Sequence, residues 1–524
     1  MLPFSALTRT ANLARMAQDR FDVLVIGGGI TGTGIALDAA ARGFSVALIE
    51  KDDFASGTSG RSARLVHGGL RYLEHREFGL VRESLRERGI LFRLAPHLVR
   101  PVPMYMLADD LRSRARYGLG LTAYDLLAAG RNIGFHHSVG AEQVRRAFPG
   151  VRAAPGWRYY ECQTDDARLT VEVARTAQAF GAVLANHVRA EALLGGARVT
   201  GAVAADALTG QRFEIRASVT VNAGGVWADR IRDLAAAASV AGPGRLQPSK
   251  GVHLVFAPGA IRAKAALAVP SAAGDGRFVF LVPWEDRVYA GTTDTPYAGD
   301  LDHPGVTDSD RDYILAAVAG NFPGVGAGDV VATWAGLRPL LGDGQASTAD
   351  LSRRHVVVAK PPGLITITGG KLTTYRAMAE DLVDRVAGEL GPRGRCLTRS
   401  IPLGLHGPAA AALSLARAET ARLGLPPGAG ARLVQRYGDD WREAVRLIGQ
   451  DPTLGEPAAG GLPVLKVELD LARRREMAMT AEDVLVRRTR LTTLDASVRV
   501  PDDAVTPLAV TPLAVTPSGG APPG

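Results

Sequence analysis

The chain has 524 residues, a formal net charge of +8, 46% apolar and 22% charged residues, which suits a globular protein of two or three domains and excludes a disordered one. Its two cysteines, Cys162 and Cys396, argue against a disulfide scaffold, a zinc site or an iron–sulfur cluster, so no metal is expected and a reducing cytoplasm is the natural compartment. No apolar run reaches the roughly 18 residues of a spanning helix, and the dispersed arginines lack interleaved stacking aromatics, which speaks against nucleic acid, whereas the positive charge favours anionic lipid and phosphate esters.

In chain order, residues 1–20 carry Arg9, Arg15 and Arg20 against Asp19 and few apolar side chains. They are expected to form a flexible extension, with an amphipathic anchor or a transit-like segment as alternatives. Next comes Val23-Leu-Val-Ile-Gly-Gly-Gly-Ile-Thr-Gly-Thr-Gly34, which reads as strand, tight turn and helix. Gly27, Gly29 and Gly32 have the spacing of a dinucleotide fingerprint: the first allows the turn, the second admits a pyrophosphate to the backbone, and the third lets helix and strand pack closely. A helix from Ile30 to about Arg42 would aim its N–H groups at the phosphates. Glu50 ends the following strand, at about the 20-residue distance of a ribose-binding carboxylate.

Further along stand Thr58-Ser-Gly-Arg-Ser-Ala-Arg-Leu-Val-His67-Gly-Gly-Leu-Arg71-Tyr72-Leu-Glu74, Asp165-Asp-Ala-Arg-Leu169, Val221-Asn-Ala-Gly-Gly225, Ser249-Lys-Gly-Val-His253, Gly291-Thr-Thr-Asp294, Gly336-Leu-Arg-Pro-Leu340 and Gly369-Gly-Lys-Leu-Thr-Thr-Tyr-Arg376. The glycines after His67 let backbone approach a flat ring or a phosphate, and Arg71 offers a planar fork of donors. This ordered set, from about Phe21 to Val500, resembles the FAD-dependent glycerol-3-phosphate dehydrogenases, respiratory flavoenzymes that oxidise glycerol 3-phosphate to dihydroxyacetone phosphate. Ala63 interrupts a run that is serine-rich in such proteins, which removes one hydroxyl contact to the flavin.

The order of elements, with the resemblance, implies an α/β protein with a Rossmann-like FAD-binding domain of the glutathione-reductase/D-amino-acid-oxidase type. That domain is assembled from residues 21–95, 165–244 and 341–400. A substrate or cap segment spans 96–164 and a β-rich substrate domain 245–340, where Phe278 to Pro283 and Val288 to Gly291 read as hairpin strands. Residues 401–500 read as a C-terminal helical domain. In it Thr480 and Asp483 have capping-box spacing, and the arginines of Arg473 to Arg490 read as a solvated face. A proline every five residues and a Gly/Pro-rich end make 501–524 a disordered tail.

The resemblance implies that FAD is held by Gly27, Gly29, Ile30, Thr31, Gly32, Glu50, Ser59, Ser62, His67, Gly68, Val188, Ala223, Gly224, Trp227, Gly370, Lys371, Leu372 and Thr373. Taking hydride from C2 of glycerol 3-phosphate requires a base for the hydroxyl proton, a cation for the developing alkoxide and fixed cations for the phosphate. His67 is the expected base, because imidazole titrates near neutrality, and Arg338 the electrostatic partner of the C2 oxygen. Arg71 and Lys371 are the expected phosphate ligands, with Tyr72, Arg353 and Arg376 as additions. Asp165 and Asp166 are expected to orient loops, and Tyr159 and Tyr160 to pack in the core.

The expected electron acceptor is membrane quinone, reached by a cytoplasmic protein, expected as a homodimer, lying peripherally on the anionic inner face of the membrane. The alternatives are an oxidase that reduces oxygen to hydrogen peroxide and a non-catalytic flavin-binding redox sensor.

Overall fold

The computed structural model describes residues 4–73, 76–235, 245–342 and 354–501, without the side chain of Arg71. Arg353 and the repetitive C-terminal tail lie outside the described residues. Two sheets and a helical region organise them. The strand Arg20–Ile26 is apolar on both faces: Val23 and Val25 enter one core, Leu24 and Ile26 another, and all four are buried. Such two-sided apolar strands belong in the middle of a parallel sheet. Here Leu364–Thr368, Arg212–Asn222, Arg20–Ile26, Val46–Ile49 and Val183–Ala185 run parallel in that order, with Val356–Ala359 as an antiparallel edge. The helices Ile30–Ala41, Asp166–Ala179 and Tyr375–Leu390 pack together over one face.

The second sheet has ten strands and crosses the expected boundary between cap segment and substrate domain. Arg100–Leu107, paired with Gly156–Gln163, also runs parallel to Ala266–Pro270, so residues before and after the second flavin segment form one surface. The expected hairpin is present as Phe278–Trp284 and Arg287–Gly291. In the middle, Ser249–Phe256 is flanked by Arg287–Gly291 and Val330–Arg338.

Two expectations are corrected. The supposed flexible extension contains a helix, Ala6–Gln18, started by Ser5, whose Oγ accepts the Thr8 N–H. Leu13 and Met16 enter the second core. Asn12 donates to the Leu184 carbonyl (2.8 Å), and Arg9 is fully buried between Asp206 (2.5 Å) and the Asn186 carbonyl (2.9 Å). Few apolar side chains suffice because the polar ones find partners that are remote in sequence.

Of the arginines near the C-terminus, Arg474 is exposed as expected, but Arg487, Arg488 and Arg490 are not part of a solvated face. Thr480 and Asp483 do cap each other, Asp483 N–H donating to Thr480 Oγ1 (3.1 Å) and Thr480 N–H to Asp483 Oδ2 (3.0 Å). The π-helix Asp483–Arg488 then turns Arg487 and Arg488 inward onto Asp53 (2.7 and 2.6 Å). Arg490 donates to Asp165 (2.8 Å), to Asp166 and to the Gly60 carbonyl (3.0 Å). Asp165 and Asp166 therefore join the helical region to the loop that follows Glu50.

The same junction buries His97, whose ring nitrogens lack partners among the described residues. Burial, and after it the charges of Arg168 and Arg175 against Asp439, holds its pKa down at about 3, below the ordinary 6.5. The unfolded chain thus binds a proton below pH 6.5 that the folded one refuses until about pH 3, so this contribution to stability is complete above 6.5 and is lost as pH falls. His97→Leu should lose about 2–3 kcal/mol less stability than the parent between pH 7 and 4.5, read by urea unfolding at both. Equal losses would show that His97 does not titrate there.

Candidate active site

The turn after Arg20–Ile26 folds as its glycines demand. Gly27 has φ +120°, and a side chain there would strike the Ala223 carbonyl at 2.5 Å. At Gly32 a Cβ would stand 1.8 Å from the Gly27 carbonyl oxygen, so helix and turn touch through bare backbone. Gly29 differs, since a Cβ there meets only Ser59 (Oγ at 3.0 Å) and otherwise faces a cavity. Ser59 Oγ accepts the Ile30 N–H (2.9 Å) and so caps the helix Ile30–Ala41 from outside the fingerprint. Both carboxylate oxygens of Glu50 are engaged, accepting from the Gly28 N–H (2.6 Å) and the Asp52 N–H (3.0 Å). Burial raises its pKa, against which those two bonds act; lone pairs remain for a ribose.

The cavity has a volume of about 1660 Å³, beyond the roughly 300–1,000 Å³ of an ordinary small-molecule site. Val188, Ala223, Gly224 and Trp227 line one end, with Gly29, Thr31 and Glu50. The indole N–H of Trp227 is buried without a partner among the described residues, and Lys51 Nζ lies 4.4 Å from the centre of its ring. An open glycine turn at a helix N-terminus, a carboxylate and an unsatisfied donor fit a dinucleotide. Ser62 lines the middle of the cavity, but its N–H and hydroxyl both donate to Asp166 (2.8 and 2.7 Å).

His67, Tyr72, Lys371 and Arg338 also line the cavity. His67 is held by Thr373, whose Oγ1 lies 3.2 Å from both its N–H and its carbonyl. Gly68 N–H donates to Tyr124 Oη (2.9 Å) and a Cβ there would overlap Tyr124 and Leu85, which makes glycine obligatory next to His67. Gly369 and Gly370, at φ +74° and +80°, bring Lys371 into the cavity, where its ammonium lies 3.7 Å from the centre of the Tyr72 ring and 3.4 Å from Ser84 Oγ. Leu372 and Thr373 begin a 3₁₀ turn that leads into the helix Tyr375–Leu390.

Arg376 does not belong to the site. It is buried, with two nitrogens on Glu87 (2.7 and 2.9 Å) and one on Glu380 (2.9 Å), and burial combined with these carboxylates commits it to a structural pair. Tyr159 is a core residue that also borders the cavity, while Tyr160 is only partly buried. The phosphate ligands expected at Arg71 and Arg353 fall on a side chain and a residue outside those described.

The sheet register explains how separate sequence motifs meet. Ser249 pairs with Arg338, and His253 with both Gly291 and Trp334. Arg338 donates to Asp294 Oδ1 (3.1 Å), Thr292 Oγ1 (3.2 Å) and the Thr293 carbonyl (3.2 Å), while Ser249 also bonds Asp294. Gly251 leaves room for this, since a Cβ there would lie 2.6 Å from Arg338 Nη2.

His253 is a residue whose place the motif alone did not disclose. It lines the cavity, stacks on Trp334 (centroids 4.6 Å apart), and has neither ring nitrogen bonded among the described residues. Burial first, then the charges of Arg338 and Arg64, hold its pKa well below the usual imidazole range. Period-two alternation could have located it: His253 is two residues from Gly251 and four from Ser249 on the same strand face.

Matches to known proteins bear on this arrangement. A family described as FAD dependent oxidoreductase matches residues 22–376, and one described as the C-terminal domain of alpha-glycerophosphate oxidase matches residues 396–507. Over 486 residues the chain is 40% identical to glycerol-3-phosphate dehydrogenase 2 of Mycobacterium tuberculosis, covering 91% of this chain and 82% of the relative. The chain belongs to the FAD-dependent glycerol-3-phosphate dehydrogenase family.

Similarity to other members of that dehydrogenase family agrees. The chain is 37% identical over 526 residues to the aerobic glycerol-3-phosphate dehydrogenase of Bacillus subtilis, covering 96% of this chain and 93% of that one. The crystal structure of a glycerol-3-phosphate dehydrogenase from Bacillus halodurans, complexed with FAD, superposes with a TM-score of 0.77 at 34% identity, over 94% of this chain and 90% of that one. The cofactor of this dehydrogenase-family chain is FAD, and no described helix is long and apolar enough to cross a membrane.

Proposed function

We propose that the protein oxidises sn-glycerol 3-phosphate to dihydroxyacetone phosphate and passes the electrons to a membrane quinone. The observation that carries the reading is that Arg338, Lys371, His67 and His253 line the same cavity as the glycine turn, Glu50 and Trp227, which are suited to a dinucleotide. FAD, when bound, supplies the acceptor for the hydride from C2. Lys371 holds the phosphate, sharing that role with Arg71 and Arg353, and Tyr72 orients the lysine from beneath. Arg338 stabilises negative charge on the C2 oxygen as its proton leaves, and Asp294, Thr292 and the Thr293 carbonyl fix the guanidinium, so little reorganisation accompanies the reaction.

The hydroxyl proton goes to an imidazole. His67 is one base, carried on the glycine loop against the cavity. His253 is the other, its ring nitrogens having no partner among the described residues; its depressed pKa keeps it neutral at neutral pH but makes it a weaker base than an ordinary imidazole. Adding glycerol 3-phosphate to the oxygen-free yellow protein should bleach the flavin band, and persistence of the oxidised spectrum would remove the proposed reaction. Comparing a short-chain quinone with oxygen as acceptor then separates dehydrogenase from oxidase: stoichiometric peroxide in place of quinone reduction would favour the oxidase.

Lys371→Ala should raise KM for glycerol 3-phosphate by roughly 10- to 150-fold, the worth of one charged hydrogen bond, and leave KM for glycerol nearly unchanged. An equal rise for both substrates would take Lys371 off the phosphate.

A further inference from the structure

The helix Leu111–Leu127 is apolar on two sides. Gly118, Leu121 and Tyr124 are buried against the protein, whereas Leu111, Leu119 and Leu126 are 82%, 76% and 75% exposed. With Ala115 and Thr122, these leucines fall within about 80° of the helix circumference at 3.6 residues per turn, a stripe about 22 Å long at 1.5 Å per residue. Phe135, 69% exposed, follows on a loop that returns to this face, as His136 Nε2 lies 3.5 Å from Thr122 Oγ1. A helix that buries one apolar face and holds another in solvent is built for a second apolar medium.

Charge indicates which medium. Between Leu111 and Phe135 stand Arg112, Arg114, Arg116 and Arg131 against Asp125, which is engaged with His136 (2.6 Å). Asp109 and Asp110 directly precede Leu111, Asp110 capping the helix by accepting the Ser113 N–H (2.8 Å), so the surroundings stay net positive. Leucines flanked by arginines match the headgroup boundary of an anionic bilayer. The stripe is also continuous with the active-site cavity: Leu119, Gly120 and Ala123 of the same helix form part of its wall, and half-exposed Phe78 stands with them.

We infer that this face is the membrane-docking surface: an anionic lipid bilayer covers Leu111, Leu119, Leu126 and Phe135 and places the mouth of the cavity against the lipid. This rests on the quinone-linked reading and adds to it the surface through which a lipid-dissolved acceptor reaches the cavity. The C-terminal helical region is a poorer candidate for this contact, because Arg487, Arg488 and Arg490 are buried in ion pairs.

The test is co-sedimentation of the flavin-loaded protein with phosphatidylglycerol-containing vesicles, beside vesicles of phosphatidylcholine alone. The double variant Leu111→Asp, Leu126→Asp alters two side chains that do not line the cavity, so flavin content and glycerol 3-phosphate-dependent reduction of a soluble dye should be preserved. Its partition onto the anionic vesicles should fall roughly tenfold or more. Undiminished vesicle binding by the variant would overturn the assignment. So would a parent protein that reduces short-chain quinone yet binds no vesicle, a result that leaves the reaction standing. Conversion of a parent dimer to a monomer in the variant, seen by sedimentation velocity, would give the stripe to a second copy of the chain and equally overturn it. Vesicle binding through the stripe without bleaching by glycerol 3-phosphate would keep the surface and remove the reaction.

Discussion

Gly32→Ala should purify without flavin and with a lowered melting temperature. A Cβ at this position would stand 1.8 Å from the Gly27 carbonyl oxygen and 3.0 Å from its carbon. Both are backbone atoms of a turn pinned by the Gly27 N–H donating to the Ile49 carbonyl (2.9 Å) and the Ala223 N–H donating to the Ile26 carbonyl (2.9 Å). Nothing flexible can yield, so the helix Ile30–Ala41 must separate from the turn; overpacking of this kind costs about 1–3 kcal/mol or more. The same movement displaces the helix N-terminus from the dinucleotide end of the cavity.

Gly29→Val supplies the contrast. Its Cβ meets only the Ser59 hydroxyl, so the fold should tolerate it while the branched side chain occupies the place of the pyrophosphate. Flavin should be lost with little change in melting temperature. Full flavin occupancy in Gly32→Ala would show that close packing of helix and turn is not what holds the cofactor, and full occupancy in Gly29→Val would show that the pyrophosphate does not lie there.

Arg338→Ala should retain FAD and slow the anaerobic reduction of the flavin by roughly 10²–10³-fold, the range for losing one preorganised charge partner of a developing oxyanion. Loss of the general base should cost roughly 10²–10⁴-fold, and His67→Ala and His253→Ala, measured side by side in single-turnover experiments, decide which imidazole it is. The pH profile supplies a second criterion. An imidazole whose pKa is held down by burial and by Arg338 and Arg64 is neutral above that depressed value, so reduction should stay rapid through neutral pH and fall only in acid. With Arg338→Ala one of the depressing charges disappears, and the acid limb should move to higher pH. An acid limb that does not move would separate His253 from Arg338, and unchanged reduction in His253→Ala would return the role to His67.

The flavin half of the molecule was legible because its information is local. Gly27, Gly29, Gly32 and Glu50 sit within one strand–turn–helix–strand unit, and each glycine answers a steric requirement of backbone only a few residues away. The strand Arg20–Ile26 announced itself by the apolar run Val23 to Ile26, which leaves both faces apolar. Ordered motifs likewise pointed to His67, Lys371 and Arg338, which the fold brings to one cavity.

What depended on distant partners could not be read in this way. Arg376 looked like a phosphate ligand until Glu87, far away in the chain, was seen to take its donors. The segment around Arg9 looked loose because Asp206 and the Asn186 carbonyl, which bury it, lie far along the sequence. The arginines from Arg487 to Arg490 read as surface charge, yet Asp53, Asp165 and Asp166 draw them into the interior. His253 acquires its proposed place only through sheet register, which sets it between Gly291 and Trp334. By itself, then, the sequence determined that a dinucleotide is bound, since this follows from short-range spacing and backbone sterics, while the chemistry was implied by the resemblance that its ordered motifs carry. Tertiary structure alone decided which charges are spent in buried pairs and which face the cavity, because that depends on contacts between residues hundreds of positions apart.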